Sequence, residues 1–270
     1  MKHKKKIIQA VKILIVIYCG IGITLYYLQE FLLFHPVKLD RNTHYNFKGK
    51  YKEQDVIFNS TDTINLVKFF PDSNIKKAGV VLYFHGNREN IGHYASFADN
   101  FTKHGYEVWM EDYPGFGKST GERSEKKMYE QALQIQKMAA VNFKTDSMII
   151  YGKSFGTGIA SYLASVADCR SLILETPYYS VPDLFSCYAP IYPTRAMSTY
   201  KLPVNEYLKE VSAPGIIFQG TEDAVIPYRC SGGLKTVLRK KDAFISIKGA
   251  GHNNLNDFAQ FHHVLDSILH

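Results

Sequence analysis

Residues 148–156 read Met-Ile-Ile-Tyr-Gly-Lys-Ser-Phe-Gly, an apolar run that leads directly into a Gly-x-Ser-x-Gly pentapeptide. The apolar run is typical of a short buried strand, and the small residues that follow the pentapeptide indicate a helix up to residue 167. A Gly-x-Ser-x-Gly between a strand and a helix forms a sharp turn that presents the serine Oγ at the helix N-terminus. The segment therefore favours Ser154 as a nucleophile. A Gly/Ser turn without catalysis is the alternative, and the pentapeptide alone does not decide between them.

Two downstream segments supply the partners that a nucleophilic serine needs. Gln219-Gly-Thr-Glu-Asp223 follows a predicted strand at 215–219, and Gly249-Ala-Gly-His252 follows another at 243–247. A serine hydroxyl needs a base to take its proton, and the base needs a carboxylate to fix its tautomer. Because Ser154, Asp223 and His252 each follow a strand, we expect them at the same edge of one sheet. The three residues in this context predict a catalytic triad.

An upstream loop predicts the stabilisation of negative charge. Phe84-His-Gly-Asn87 follows the predicted strand at 79–84, and Gly86 lets the backbone bend so that the next N–H can face a reacting oxygen. The N–H groups of Asn87 and Phe155 are therefore predicted to form an oxyanion hole. Alternatively, His85 and Asn87 only satisfy a turn.

The body of the chain alternates strands and helices. Besides those above, strands are predicted at 56–58, 66–70, 107–110 and 172–174, and helices at 92–103, 127–140, 228–240 and 253–269. This alternation predicts an α/β fold with a mostly parallel sheet covered by helices on both faces. Residues 176–214 hold six of the ten prolines and six tyrosines, and we expect them to form a small cap or lid.

The N-terminal segment is apolar and carries a lysine cluster. Ile13-Leu-Ile-Val-Ile-Tyr-Cys-Gly-Ile-Gly-Ile-Thr-Leu-Tyr-Tyr-Leu28 holds no charge, and about 20 apolar residues are enough to span a bilayer. A cleaved signal peptide would need an Ala-x-Ala-like site after the apolar run, and the sequence has none. Lipid modification of Cys19 would need a small residue before it, and Tyr18 is bulky. The adjacent lysines argue against a buried core helix. The sequence therefore predicts an uncleaved transmembrane anchor at 1–34, a linker at 35–54 and a catalytic domain at 55–270.

Charge and cysteine content exclude several other classes. The net charge is +7, of which five units come from the N-terminal Lys2, Lys4, Lys5, Lys6 and Lys12. The remaining chain is nearly neutral, so no nucleic-acid partner is expected. Positive-inside bias places the N-terminus in the cytoplasm and the domain on the other side, although basic residues between 38 and 52 weaken that bias. The four cysteines have no metal-ligand spacing, and the three outside the anchor imply no disulfide framework.

The motifs together resemble a known family. Phe-His-Gly-Asn (84–87), Asp-Tyr-Pro-Gly-Phe-Gly-Lys-Ser (112–119), the elbow at 152–156, Gly-Thr-Glu-Asp-Ala-Val-Ile-Pro (220–227) and Gly-Ala-Gly-His-Asn (249–253) look like serine α/β-hydrolases. Within that family they resemble the membrane-associated Bem46-like, or abhydrolase-domain, branch. The resemblance covers about residues 55–270 and implies the α/β-hydrolase fold and hydrolysis of carboxylic esters or thioesters, with lysophospholipid lipases and protein depalmitoylases among the members.

The sequence thus predicts a membrane-anchored serine hydrolase for an ester or thioester, with a lipid-like acyl substrate favoured over a small soluble one. No metal or organic cofactor is expected. An acyltransferase that uses the same triad and a non-catalytic binding protein are the alternatives. A nucleotide-binding P-loop is excluded, because Ser147 and Asp112 stand where the two Gly-Lys-Ser segments would need a glycine.

Overall fold

A central sheet of eight strands organises the computed structural model, which describes residues 2–270. The strands in chain order are β1 His35–Pro36, β2 Lys50–Ile57, β3 Thr63–Phe70, β4 Gly79–Phe84, β5 Arg88–Glu89, β6 Tyr106–Glu111, β7 Met148–Lys153, β8 Ser171–Glu175, β9 Gly215–Gly220 and β10 Ala243–Ile247. Eight of these strands form the central sheet, in the order β10-β9-β8-β7-β4-β6-β3-β2, whereas β1 and β5 pair in a separate two-stranded sheet. β2 and β3 form an antiparallel hairpin and β3 pairs antiparallel with β6, whereas all other neighbours are parallel.

The helices are α1 Lys2–Leu33, α2 Ile91–Tyr94, α3 Asp99–Thr102, α4 Glu125–Ala140, α5 Gly156–Val166, α6 Val181–Tyr188, α7 Thr194–Met197, α8 Val204–Glu210, α9 Tyr228–Ser231 and α10 Ala259–Leu269. Short 3₁₀ turns extend several of them, at Ala95–Ala98, Gly232–Thr236 and Leu255–Asp257. Local sequence sets the helix starts: the Ser124 Oγ accepts the Lys127 N–H at 3.1 Å and caps α4, as Ser180 caps α6.

Helices cover both faces of the sheet, because its central strands are apolar on both sides. Along β4, Val80 and Leu82 pack into a core with α4 and α5, whereas Val81 and Tyr83 pack into a second core with α2, α3 and α10. Strands buried on both faces are typical of parallel sheets. The predicted α/β-hydrolase fold is confirmed.

Four predicted elements differ in extent. The predicted helix at 92–103 is divided into α2, a 3₁₀ turn and α3. The predicted helix at 228–240 is only the short α9 and a 3₁₀ turn, because Gly232 and Gly233 weaken a helix there. The final helix begins at Ala259 rather than at 253. β2 begins at Lys50, inside the predicted linker, because a polar edge strand lacks the apolar run that identifies a central one.

The cysteine count implied no disulfide framework, but the structure contains one disulfide bond. Cys187 at the end of α6 and Cys230 in α9 are bonded, with their Cα atoms 6.4 Å apart. Cys19 and Cys169 are free thiols. An odd count of three cysteines does not reveal a pair that is 43 residues apart in the chain. The bond ties the segment predicted as a cap to the loop region after β9.

Candidate active site

Ser154 lies at the sharp turn between β7 and α5. Its φ of 51° falls in the left-handed region, which residues with a side chain rarely adopt. Two backbone hydrogen bonds hold this conformation: the Ser154 N–H donates to the Glu175 carbonyl at 2.8 Å, and the Ser154 carbonyl accepts from the Thr157 N–H at 3.0 Å. Such strain persists where the surroundings over-determine it, and it often accompanies a functional site.

The two glycines of the pentapeptide are required by close backbone contacts. A Cβ at Gly156 would lie 2.1 Å from the carbonyl oxygen of Phe84, and a Cβ at Gly152 would lie 2.6 Å from that of Gly156. Both distances are far below van der Waals contact, and backbone atoms cannot move aside as a flexible side chain can. The elbow therefore fixes α5 directly against the sheet and fixes Ser154 above it.

His252 lies between Ser154 and Asp223 and is hydrogen-bonded to both. The Ser154 Oγ is 2.8 Å from the His252 Nε2, and the His252 Nδ1 is 2.8 Å from the Asp223 Oδ2. An ionised carboxylate only accepts hydrogen bonds, so Nδ1 carries the proton and Nε2 is left to accept the serine proton. The loops after β7, β9 and β10 thus bring together the three residues that the sequence singled out.

Asp223 is buried and held in a fixed orientation. Its Oδ1 accepts the N–H groups of Val225 and Ile226 at 2.8 and 2.7 Å, and its Oδ2 accepts from the Gln219 Nε2 at 3.1 Å. No role was predicted for Gln219, because its position at the end of β9 carries no recognisable motif. These donors compensate for the loss of water around the carboxylate.

Asn87 and Phe155, the predicted oxyanion-hole residues, lie on the two loops that meet at Ser154. Phe155 is the residue before α5, and Asn87 lines the cavity that contains Ser154. A Cβ at Gly86 would lie 3.7 Å from the Ser154 Cβ, which shows how closely the two loops approach. The Asn87 loop is tied to the N-terminal segment, since the Asn87 amide donates to the Leu33 carbonyl and the Asn87 carbonyl accepts from the His35 N–H at 2.9 Å.

A cavity of about 640 Å³ opens at Ser154 and His252. Its walls include Leu32 and His35, from the end of α1 and from β1, as well as Val225 from the loop after β9. No site role was predicted for residues 1–50. No local signal in the sequence indicates that the end of an apolar helix will line a site formed by distant loops.

Comparison with known protein families and curated proteins identifies relatives of the chain. The family described as "Serine aminopeptidase, S33" matches residues 75–205. The "Alpha/beta hydrolase domain-containing protein 17C" of Xenopus tropicalis is 31% identical over 186 residues, which cover 67% of this chain and 58% of that protein. The human protein of the same name is 30% identical over 190 residues, which cover 67% of this chain and 55% of the human protein. The chain therefore spans less than two thirds of the length of these curated relatives.

Solved structures share the fold at low sequence identity. An esterase from Pyrococcus furiosus aligns with a TM-score of 0.68 at 14% identity, covering 88% of this chain and 96% of that one. The enzyme Est1E of Butyrivibrio proteoclasticus, solved with ferulic acid, aligns with a TM-score of 0.62 at 18% identity, covering 77% and 93%. At these identities the likeness concerns the fold alone.

Proposed function

The chain belongs to the α/β-hydrolase family, and on that premise we propose that it is a membrane-anchored serine hydrolase that cleaves a carboxylic ester or thioester of a lipid-like acyl group. The observation that carries the proposal is the hydrogen-bonded order of Ser154, His252 and Asp223 at one edge of the sheet. The cavity at Ser154 leaves room for an acyl substrate.

The proposed reaction has two steps. In the first, the Ser154 Oγ bonds to the acyl carbon and its proton passes to the His252 Nε2. The bond from the acyl carbon to the leaving oxygen or sulfur then breaks, and His252 returns the proton to the departing alcohol or thiol. In the second, water adds to the acyl-enzyme through the same base, the bond to Oγ breaks, and the carboxylic acid leaves.

Charge on the substrate oxygen develops in both tetrahedral intermediates. The N–H groups of Asn87 and Phe155 are the proposed donors to that oxygen, because they belong to the two loops adjoining Ser154. Asp223 keeps the His252 Nδ1 protonated and stabilises the imidazolium that forms.

The proposed anchor is α1, whose length and apolar composition are enough to cross a membrane. Contacts at its end argue against cleavage as a signal peptide, since Gln29, Leu33 and the adjoining Phe34 are buried in the folded domain. Removing the helix would expose the apolar surface that these residues cover.

The catalytic domain is proposed to lie on the extracytoplasmic side. The lysines before the apolar stretch favour a cytoplasmic N-terminus. The disulfide between Cys187 and Cys230 adds support, because such bonds persist in oxidising compartments. In sealed membrane vesicles whose cytoplasmic face is outward, a C-terminal tag should resist added protease until detergent is added. Digestion before detergent would contradict this orientation.

Fluorophosphonate labelling of the membrane fraction tests the nucleophile. Wild type should be labelled, whereas Ser154→Ala should lose labelling and about 10⁴-fold or more of its ester turnover. Ser165→Ala, in α5 directly after the elbow but away from the cavity, is the matched control and should keep both labelling and ester turnover. A folded wild-type protein that takes no label would contradict the hydrolase proposal and favour a non-catalytic binding role.

A further inference from the structure

A second cavity, about 150 Å³ in volume, lies between α1 and the cap segment of residues 181–198. We call it the anchor–cap groove. Its walls are mainly apolar side chains of the two elements: Leu25, Tyr26 and Leu32 from α1, and Phe185, Ala189 and Met197 from the cap segment. The Gln29 amide at its edge is already engaged, as its Oε1 accepts the Thr199 N–H at 2.6 Å and its Nε2 donates to the Tyr26 carbonyl at 2.7 Å. The groove therefore suits an apolar ligand.

The groove adjoins the cavity at Ser154. Leu32 contributes to the walls of both, so the two cavities approach each other at this side chain. A ligand long enough to pass Leu32 could lie in the groove with one end at the Ser154 Oγ. An acyl chain has this shape, and its carbonyl carbon is the atom that the proposed nucleophile attacks.

The depth of α1 in a bilayer determines what the groove faces. The mainly apolar part of α1 before its first cap contact, 7–17, is only about 17 Å long, a little over half of the 30 Å hydrocarbon core. From Tyr18 onward the helix contacts the cap segment: the Tyr18 and Tyr192 rings stack with centroids 4.7 Å apart, and the Tyr18 Oη donates to the Ile191 carbonyl at 2.9 Å. For α1 to span the membrane, the cap residues beside Tyr18 must lie in the adjoining leaflet.

The tip of the cap segment, residues 188–192, carries exposed apolar side chains, as a position in the leaflet requires. Ile191 is 69% exposed and Tyr188 is 57% exposed, and Ile191 lies directly beside Tyr18 of α1. Exposed apolar residues next to a membrane helix are typical of a membrane contact. The anchor–cap groove lies between this tip and the Ser154 cavity.

We propose that the anchor–cap groove is the acyl-chain subsite, which takes a long acyl chain directly from the adjoining leaflet. The chain enters between α1 and the tip of the cap segment, passes Leu32 and presents its carbonyl to Ser154. This inference rests on the proposed hydrolase function and names its substrate class: a membrane-resident ester or thioester with a long acyl chain.

Filling the groove tests the proposal in the full-length protein reconstituted in detergent micelles. Leu25→Trp and Ala189→Trp each place a large ring in the groove from opposite walls. Ile23→Trp, two residues from Leu25 on α1 and lining neither cavity, is the matched control. Activity is measured on p-nitrophenyl butyrate, which has a short four-carbon acyl chain, and on p-nitrophenyl laurate, which has a long twelve-carbon acyl chain.

The expected result is a selective loss. Each buried methylene is worth roughly fourfold in kcat/KM, so losing a few of them lowers laurate hydrolysis by tenfold or more. The laurate-to-butyrate ratio falls accordingly in both groove variants, whereas Ile23→Trp keeps both activities and fluorophosphonate labelling within twofold of wild type. An unchanged laurate-to-butyrate ratio in both groove variants would overturn the acyl subsite while leaving the hydrolase function intact. Absence of Ser154-dependent turnover of both esters in wild type would instead overturn the proposed function.

A second measurement needs no variant. A fluorophosphonate with a twelve-carbon chain and a terminal diazirine is attached to Ser154 of wild type and photolysed, and the crosslinked peptides are identified. Crosslinks in 18–33 or 185–198 support the groove. Crosslinks confined to the opposite wall of the Ser154 cavity, at 88–97, would overturn the proposal even if a tryptophan variant fails to fold.

Discussion

Glu111, at the end of β6, is a carboxyl group buried without a partner. It is 2% exposed, and neither of its oxygens has a hydrogen-bond donor among residues 2–270. Burial, assisted by the negative charge of Asp112, raises the pKa of Glu111 to about 8. The side chain is therefore mostly protonated at neutral pH, and it is ionised only at the cost of leaving a charge in the core.

The raised pKa of Glu111 predicts that stability falls as pH rises. Between the ordinary carboxyl pKa of about 4.5 and the folded value of about 8, the folded chain keeps a proton that the unfolded chain has released. From this group alone, the free energy of unfolding should be lower at pH 8 than at pH 5 by up to about 4 kcal/mol. Glu111→Gln should remove that slope, as measured by chemical denaturation from pH 5 to pH 8. Glu210→Gln, at an exposed acid, should keep it; equal slopes for Glu111→Gln and wild type would refute the prediction.

Individual site residues could be predicted from the sequence where they directly follow a strand. Ser154, Asp223 and His252 could be singled out because each comes directly after a strong apolar strand signal, and parallel strands bring those ends to one edge. Gln219 and Glu111 could not, because their significance lies in burial and in neighbours that only the packed fold brings together.

Among the elements, the segment between β8 and β9 depends on its disulfide. The Cys187–Cys230 bond joins α6 to α9 across 43 residues of sequence. Closing a loop of that size removes conformational entropy from the unfolded chain worth about 4 kcal/mol at most. The bond also limits how far α6 can move away from the core.

Replacing both bonded cysteines should loosen this segment. Cys187→Ser combined with Cys230→Ser should lower the Tm and make 181–200 more sensitive to limited proteolysis. Adding dithiothreitol to wild type should produce the same pattern and leave the double variant unaffected. Cys19→Ser, at a free and exposed thiol, should behave as wild type. A double variant with the Tm and protease resistance of wild type would argue against a stabilising role.

The elements outside this segment follow from local patterns, whereas its arrangement does not. Short continuous apolar runs, which are typical of strands buried on both faces, predict β4, β6, β7 and β9. Ser124 predicts the start of α4. The disulfide pairing and the contact of the cap segment with α1 join positions far apart in the chain, which neither spacing nor composition encodes.

For the whole molecule, the junction of α1 with the domain is the decisive feature. Phe34, the residue after α1, is 3% exposed. Its ring packs edge-on against Phe116, Phe155 and Tyr200, with centroids 5.0 to 6.3 Å apart. The residue directly after α1 therefore contacts Phe155, which follows the proposed nucleophile in the chain. The sequence predicted an apolar helix in a segment that ends at residue 34, but a single phenylalanine gives no sign of its distant partners.

Phe34→Ala should affect stability and activity together. Removing a buried phenylalanine ring costs about 3–5 kcal/mol, and here it also removes support from Phe155. We expect a lower Tm and a lower kcat on short esters, measured in the same detergent. Phe31→Ala, which removes a ring that is 71% exposed, should change neither by much. Equal behaviour of the two variants would mean that α1 only tethers the domain.

Because the chain passes directly from α1 into the core at Phe34, it also limits how far Ser154 can move from the membrane surface. In a chain anchored as proposed, no flexible tether lets the domain swing away from the lipid surface, so Ser154 stays at a constant height above it. Encounter with substrate then becomes a two-dimensional search, governed by lateral diffusion and by the surface density of the substrate rather than by its bulk concentration. A soluble ester would have to come to that plane, whereas a lipid is already in it.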